Sequence, residues 1–333
     1  MATIHFLNVR EGDCIVVQHN SGRVTMIDIS CGNLAPLEES TNKFNKAAGL
    51  ANTGGIGNYN MKGYPTKPQD YLSSLGVSTI WRFILTHPDM DHLDGLNALM
   101  NEFTVNNFWH SGADKAKPDF GGYSRYNEED WDRYVKVRNG MEGGTKTLKV
   151  FAGMSFKYAN EDDNGGGGDG LKVIAPTRQL VDDANECEDF NDCSYVIIYR
   201  TAGFKVIFTG DSHDATWEHI LENHAQEVAD CDLLIAPHHG RDSGRSWEFL
   251  DVLKPRLTLF GVASSDFLAY DAWNTRKLDK ITNNQAGNVV LDVVDNLMHV
   301  YVENDAYAES RNAGDKTQNR QGYRTLGYLQ ARA

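Results

Sequence analysis

Long apolar runs are missing from this 333-residue chain. None approaches the roughly 20 residues that a bilayer-spanning helix needs, so no membrane partner is expected. The N-terminus, Met1-Ala2-Thr3-Ile4-His5-Phe6, lacks a basic stretch followed by an apolar one, which argues against a secretory signal. No CxxC pair occurs. The five cysteines (Cys14, Cys31, Cys187, Cys193 and Cys231) are scattered and odd in number, which excludes a disulfide framework and a thiolate zinc knuckle. They read as free thiols of a reducing compartment, so the expected location is cytoplasmic. Basic runs are also absent. With 32 Lys and Arg against 46 Asp and Glu the net charge is −14. A protein that grips duplex nucleic acid through its phosphates shows a basic surface, so no tight duplex binding is expected. An enzyme that meets phosphate through bound cations is still allowed, because the metals bring their own positive charge.

What is present suits a globular protein with a sizeable core, since 41% of residues are hydrophobic and 23% charged. Alternating residues split by Arg10-Glu11-Gly12 and Asn20-Ser21-Gly22 predict hairpin strands over Thr3–Val9, Asp13–His19 and Arg23–Ile29. Further strands are predicted at Thr79–Leu85, Val105–Trp109, Leu148–Tyr158, Leu171–Ala175, Tyr195–Arg200 and Lys205–Phe208. The later ones are Asp232–Ala236, Arg256–Val262, Asn288–Val294 and Met298–Val302. Helical spacing falls at Leu93–Phe103, Glu128–Arg138, Ala215–Val228, Trp247–Leu253 and Ala272–Ile281. Two stretches lose periodicity, about 33–67 and about 111–170, the second containing the glycine run from Gly165 to Gly168. The expected architecture is α/β: an αββα four-layer sandwich of two mixed sheets with helices outside. It is read as one domain over 1–305 with two loop insertions, followed by a polar, weakly patterned tail at 306–333 that packs late or stays mobile.

The strongest chemical signal is Thr86-His87-Pro88-Asp89-Met90-Asp91-His92, which sets four ligand-type side chains in six positions between an apolar strand and a helix. A tight turn there aims all four into one cavity, which a regular helix or strand cannot do. Imidazole and carboxylate together suit zinc, manganese or iron. Three other strands end in polar residues of the same kind: Met26-Ile27-Asp28, Phe208-Thr209-Gly210-Asp211 and Ile235-Ala236-Pro237-His238-His239-Gly240. A single strand-end aspartate is commonly a cap or turn residue. Four clusters at strand ends point to one active edge of the sandwich.

In these motifs the chain resembles the metallo-β-lactamase superfamily, whose main motif is His-x-His-x-Asp-His, and above all the branch that includes the hydrolase domain of the bacterial competence DNA-uptake channel. The similarity extends to Asn8-Val9-Arg10-Glu11-Gly12-Asp13 and Asn191-Asp192-Cys193-Ser194, so it spans roughly residues 4 to 262. It implies two divalent metal ions, zinc or manganese, held by His87, Asp89, Asp91 and His92, with Asp211 as a bridge and one or both of His238 and His239 completing the set. Asp28 would orient a ligand, while Gly12 and Asp13 would shape the hairpin beneath it. Two departures stand out. Asp89 occupies a position where the superfamily commonly has histidine, which makes manganese a rival to zinc. The third-motif histidine is replaced by Asn191, Asp192 and Ser194, and the later Gly-His-Pro is missing, with Asp271 the nearest substitute.

The resemblance implies metal-assisted hydrolysis, in which cations lower the pKa of a water from about 15.7 towards 7. Asp91, His238 and Asp28 are the side chains expected to serve the reaction, and the histidine of the His238-His239 pair not bound to metal is a candidate proton donor to the leaving group. The implied substrate is a phosphodiester: a nucleotide, a single-stranded nucleic acid or another phospho-ester, making the protein a phosphodiesterase or nuclease. Lactone, thioester or other carbonyl-ester hydrolysis is the alternative on the same fold. The second alternative is a scaffold with a degenerate site, but clustered carboxylates repel one another unless a cation is present.

Overall fold

The structure is a computed structural model describing residues 1–34, 59–122, 124–156, 168–263, 267–312 and 314–332. Most of the loop expected at 33–67, Tyr123 and the glycines Gly165 to Gly167 lie outside the described residues. The first sheet begins with β1 (Ala2–Phe6), β2 (Ile15–Gln18), β3 (Val24–Ile27), β4 (Thr79–Ile84), β5 (Thr104–His110) and β6 (Lys146–Lys149). The second is built from β7 (Leu171–Ala175), β8 (Val196–Thr201), β9 (Phe204–Phe208), β10 (Leu233–Ile235), β11 (Leu257–Phe260) and β12 (Lys280–Thr282). The chain then returns to the first sheet with β13 (Val289–Val294), β14 (Leu297–Val302) and β15 (Arg324–Gln330). Among the described residues the strand orders are β15-β14-β13-β1-β2-β3-β4-β5-β6 and β12-β11-β10-β9-β8-β7.

Alternation along the strands builds the layers, because successive side chains point to opposite faces. Ile4 and Phe6, Ile15 and Val17, Ile27, Ile84 and Trp109 face the inter-sheet core, where they meet Val206, Phe208, Leu233 and Ile235. On the outer face of the first sheet, Val16, Met26, Phe83 and Phe108 pack with Leu72, Leu99, Trp131 and Tyr134. Those four come from α1 (Pro68–Ser74), α2 (Leu96–Glu102) and α3 (Glu128–Arg138). Outside the second sheet, Ile207 and Leu234 pack with Trp217, Ile220, Leu250 and Trp273. Trp217 and Ile220 belong to α5 (Asp214–Val228), Leu250 to α6 (Leu250–Leu253) and Trp273 to α7 (Tyr270–Thr275). Between β7 and β8, α4 (Arg178–Cys187) covers a small cluster around Phe151 and Phe190. The fold is therefore the expected four-layer αββα sandwich.

Three expectations change. Of the strand expected at Leu148–Tyr158, residues 157 and 158 lie outside the described residues; the rest contributes to the short strand β6, which among the described residues pairs only with β5, before the chain turns away through Gly153, whose φ is +76°. The helix expected at Ala272–Ile281 stops at Thr275. Lys277 takes a left-handed φ of 56°, and Lys280–Thr282 join β11 as a parallel strand. The 306–333 tail is an integral part of the first sheet, since β15 pairs with β14 along its length. As an edge strand it buries little beyond Arg324 and Thr325, so its sequence lacks a strong apolar alternation. No helix among the described residues is long and apolar enough to cross a membrane.

The second insertion is anchored by charge. Asp169 lies 2.7 Å from Arg82, which is fully buried on β4, and 3.2 Å from Arg23. Removing the carboxylate leaves a guanidinium in the protein interior without that counter-charge. Asp169→Ala is expected to destabilise the protein by roughly 3–5 kcal/mol, measured as a shift of the urea midpoint.

Candidate metal centre

Parallel pairing of β3 with β4 and of β4 with β5, and of β9 with β10 and of β10 with β11, places their carboxyl ends at one edge of the sandwich. Open parallel sheets place functional residues at that end. Asp28 follows β3, the His87–His92 turn follows β4, Asp211 follows β9, and His238 and His239 follow β10. The connections are strained. Asp28, His238 and His239 all take left-handed φ angles, of 56°, 52° and 57°, in a region that costs a non-glycine residue about 1–3 kcal/mol. The two sheets are tied together at this edge, where Tyr195 N donates to the Thr86 carbonyl (3.2 Å), and within the second sheet His238 N donates to the Gly210 carbonyl (3.0 Å).

Asp211 is the hub. Its carboxylate oxygens lie 3.3 Å from His92 Nε2, 3.6 Å from the Nε2 atoms of His238 and His239, and 3.8 Å from His87 Nε2. Asp91 Oδ2 is 3.5 Å from His239 Nε2 and 3.9 Å from His92 Nε2, and Asp89 Oδ1 is 3.8 Å from His87 Nε2. One ligand-type atom from each of Asp91, His92, Asp211 and His239 fits within 4.8 Å of all the others. These residues fit a divalent cation. The Nε2 atoms of His87, His92 and His239, and Asp211 Oδ1, are buried without a hydrogen-bond partner. Buried polar atoms left without a partner are costly, and a cation between them would satisfy the carboxylates and the deprotonated imidazoles alike.

The charges inside the cluster oppose its burial. Burial disfavours a charged His92 or His239, yet Asp211 and the neighbouring carboxylates hold His92 well above the usual histidine range and push His239 up to about 10. Burial equally disfavours charge on Asp91 and Asp211, and the facing histidines overcome it, keeping both carboxyls below their ordinary range. His87 differs: burial and the His92 charge push it down. A divalent cation satisfies the same carboxylates and takes over the imidazole lone pairs, so its binding releases protons.

Of the ligand-type residues singled out from sequence, Asp28, His87, Asp89, Asp91, His92, Asp211, His238 and His239 lie at this edge, in different settings, and Asp271 does not. Asp28 accepts from Thr86 N (2.7 Å) and Thr86 Oγ1 (2.6 Å), and its Oδ2 faces His92 Nδ1 at 2.8 Å. It orients the ring rather than pointing at the cluster. Asp89 is the most open member and is held by Lys115 Nζ at 2.5 Å. Asp271 lies on α7 and lines a separate cleft of about 660 Å³ with Arg245, Trp247 and Arg276. In the third-motif stretch Asp192 and Ser194 are engaged by the backbone. Asp192 receives the backbone N–H groups of His213 and Thr216 at the start of α5, and Ser194 Oγ accepts from Asp211 N at 3.1 Å.

Three contributors escaped sequence reasoning. Asp13, assigned to hairpin shape, lies 3.0 Å from His239 Nδ1. Lys115 reaches Asp89 from the second insertion, and the buried Arg245 contacts His238 Nδ1 at 3.0 Å. Thr86, by contrast, is visible in the motif as a lone hydroxyl beside His87. Where Gly-His-Pro was expected, Gly261 packs so closely on Asp13 and His239 that an added Cβ would lie 2.8 Å from Asp13 Oδ1.

Gly12 has a stricter role. Its φ is +78°, and a Cβ there would lie 1.8 Å from the Asp91 carbonyl oxygen. Gly12→Ala must therefore displace the turn that carries Asp91. It is expected to reduce bound divalent metal by at least about half, measured by elemental analysis, while the far-UV circular dichroism is retained.

A four-layer sandwich with histidines and carboxylates converging at the strand ends defines a metal-dependent hydrolase class. The chain belongs to the Metallo-beta-lactamase superfamily, whose family model matches residues 7–213. Among solved structures it is similar to Igni18, a metallo hydrolase from the hyperthermophilic archaeon Ignicoccus hospitalis. The identity is 14% and the TM-score 0.46, over 88% of this chain and 100% of that one. A diphosphatase of the PhnP family aligns at 14% identity and TM-score 0.44, over 88% and 98%. A long-form RNase Z from yeast aligns at 12% identity and TM-score 0.39, over 79% and 37%. No curated protein sequence matches the chain significantly.

Proposed function

We propose that this chain is a metal-dependent phosphodiesterase, related in its motifs to the hydrolase domain of the competence DNA-uptake channel. The observation that carries the reading is the set of buried, unpartnered Nε2 atoms of His87, His92 and His239 around Asp211. His87 and Asp89 would hold one cation and Asp91, His92 and His239 the other, with Asp211 between them. Bound there, two divalent cations supply a water that ionises near neutral pH and positive charge opposite the developing oxyanion. With three carboxylates beside three imidazoles the donor set suits manganese as well as zinc.

The phosphoester preference rests on fixed cations in a chain whose net charge is −14. Lys115 stands at Asp89 and Arg245 at His238, on two sides of the cluster. A third side carries Arg125, paired with Glu11, next to Tyr126. Burial and the Asp91 charge push Tyr126 up to about 12, so its hydroxyl stays protonated and able to donate to an anionic substrate. A carbonyl ester needs no such flanking cations.

Bound metal and turnover of bis-(p-nitrophenyl) phosphate, single-stranded DNA and a lactone would be measured with Mn²⁺ or Zn²⁺, for wild type and Asp91→Ala. Wild type is expected to carry metal and cleave the phosphodiesters, and the variant to lose both properties. A wild type that binds no metal and cleaves no phosphodiester would sink the proposal, and turnover of the lactone alone would replace it with carbonyl-ester hydrolysis.

A further inference from the structure

The four histidines of the centre differ in what faces Nδ1. A neutral imidazole carries one proton, so the group at Nδ1 decides whether Nε2 keeps a lone pair or an N–H. At His92 the neighbour is the Asp28 carboxylate at 2.8 Å, and at His239 it is the Asp13 carboxylate at 3.0 Å. At His87 it is Thr86 Oγ1 at 3.1 Å. That hydroxyl gives its single hydrogen to Asp28 Oδ2 at 2.6 Å, so towards His87 it can only accept. With a metal bound, the carboxylates beside His92 and His239 and the acceptor beside His87 favour a proton on Nδ1, which leaves an Nε2 lone pair on the Asp211 side of the cluster. This is the form that binds a metal.

His238 is reversed. Its Nδ1 lies 3.0 Å from Arg245 Nη2, and a guanidinium has donors but no acceptor. Ser243 Oγ, 3.3 Å from the same nitrogen, accepts from Arg245 Nη2 at 3.1 Å and keeps its own hydrogen for the ring. Arg245 is itself buried and donates to the Ser212 carbonyl, so this arrangement is fixed by the fold.

We propose that His238 is a hydrogen-bond donor to the substrate and not a metal ligand: Arg245 fills its Nδ1 lone pair, which leaves the proton on Nε2, 3.6 Å from Asp211 at the rim of the cluster. Ligation through Nε2 would turn an Nδ1–H against the Arg245 N–H, two donors face to face. On this proposal the histidine does not give a proton to the leaving group. With Nδ1 occupied by Arg245, surrender of the Nε2 proton would leave an imidazolate. The ring acts instead as a neutral donor to a non-bridging oxygen, and Arg245 is the positioning residue behind it. The nature of that oxygen, on a phosphoester, rests on the function proposed above.

The test uses the full chain loaded with Zn²⁺. Long-range ¹H–¹⁵N correlation is expected to show Nε2–H for His238 and Nδ1–H for His87, His92 and His239. His238→Ala is expected to keep the wild-type metal content while kcat for bis-(p-nitrophenyl) phosphate falls by about 100-fold, as when one oxyanion donor is removed. His238→Gln, which retains an N–H donor, should recover at least about tenfold of that loss. His239→Ala should lose metal, and Arg245→Met should move the His238 signal towards Nδ1–H. Loss of metal in His238→Ala matching that in His239→Ala, or an Nδ1–H signal for wild-type His238, overturns the proposal. A wild type with bound metal and the expected tautomers but no phosphodiesterase activity refutes the substrate class alone, and metal content still decides whether His238 is a ligand.

Discussion

Asp211→Asn is expected to lower kcat for a phosphodiester by about 1000-fold or more and to strip the chain of most of its divalent metal. Asp211 faces four imidazole nitrogens within 3.8 Å, and all but one of those rings belong to the proposed ligand set. An amide offers one neutral oxygen where the carboxylate offers two charged ones, so no other side chain can take over the position between the two metals. The effect should reach stability too. In chelator-treated protein the buried His92 and His239 are held charged chiefly by Asp211, and removing that charge is expected to cost roughly 3–5 kcal/mol. Elemental analysis, steady-state kinetics and urea unfolding with and without chelator check the three effects separately. Wild-type metal content in Asp211→Asn would overturn the assignment of Asp211 as the bridge.

Acidification from pH 7 to about pH 4 is expected to remove several kcal/mol of stability through histidines remote from Asp211. His5 on β1 lies between Tyr71 and Gln18, and burial pushes it from 6.5 down to about 4. Burial likewise brings His19 to about 3 and His110 to about 4. Each has a lower pKa folded than unfolded, so the unfolded chain binds more protons between the two values. The stability is fully present above pH 6.5 and is lost as the pH falls through about 4, at up to roughly 3 kcal/mol for each residue. Urea midpoints at pH 7 and pH 4.5 measure the loss, and His110→Phe should make it smaller. An unchanged pH dependence in that variant would exclude His110 as a contributor.

The ligand turn was legible because its side chains are adjacent in sequence, and Asp28, Asp211, His238 and His239 because each ends an apolar strand. The groups that tune them were not. Asp13 reaches His239, and Lys115 reaches Asp89, only through the folded arrangement of a hairpin and an insertion, and neither contact leaves a periodic trace. Arg245 sits in a short Ser- and Gly-containing stretch with no pattern of its own, yet it separates His238 from His239, which look equivalent in sequence. The fold shows the same division. Long, alternating strands announce themselves, whereas the three residues of β12 are too few to show a period, and β15 buries too little to stand out.

The pairing of β1 with β13 has a consequence in time. Ala2 meets Val293, so the open side of β1 cannot close until the chain has been made as far as β13. At about 5–20 residues per second, ribosomal synthesis leaves the open side of β1 waiting for roughly 15–60 s. β1 thus meets β2 early, but its other side finds β13 only after the whole second sheet has been made, and that apolar side is exposed to aggregation in the nascent chain until then.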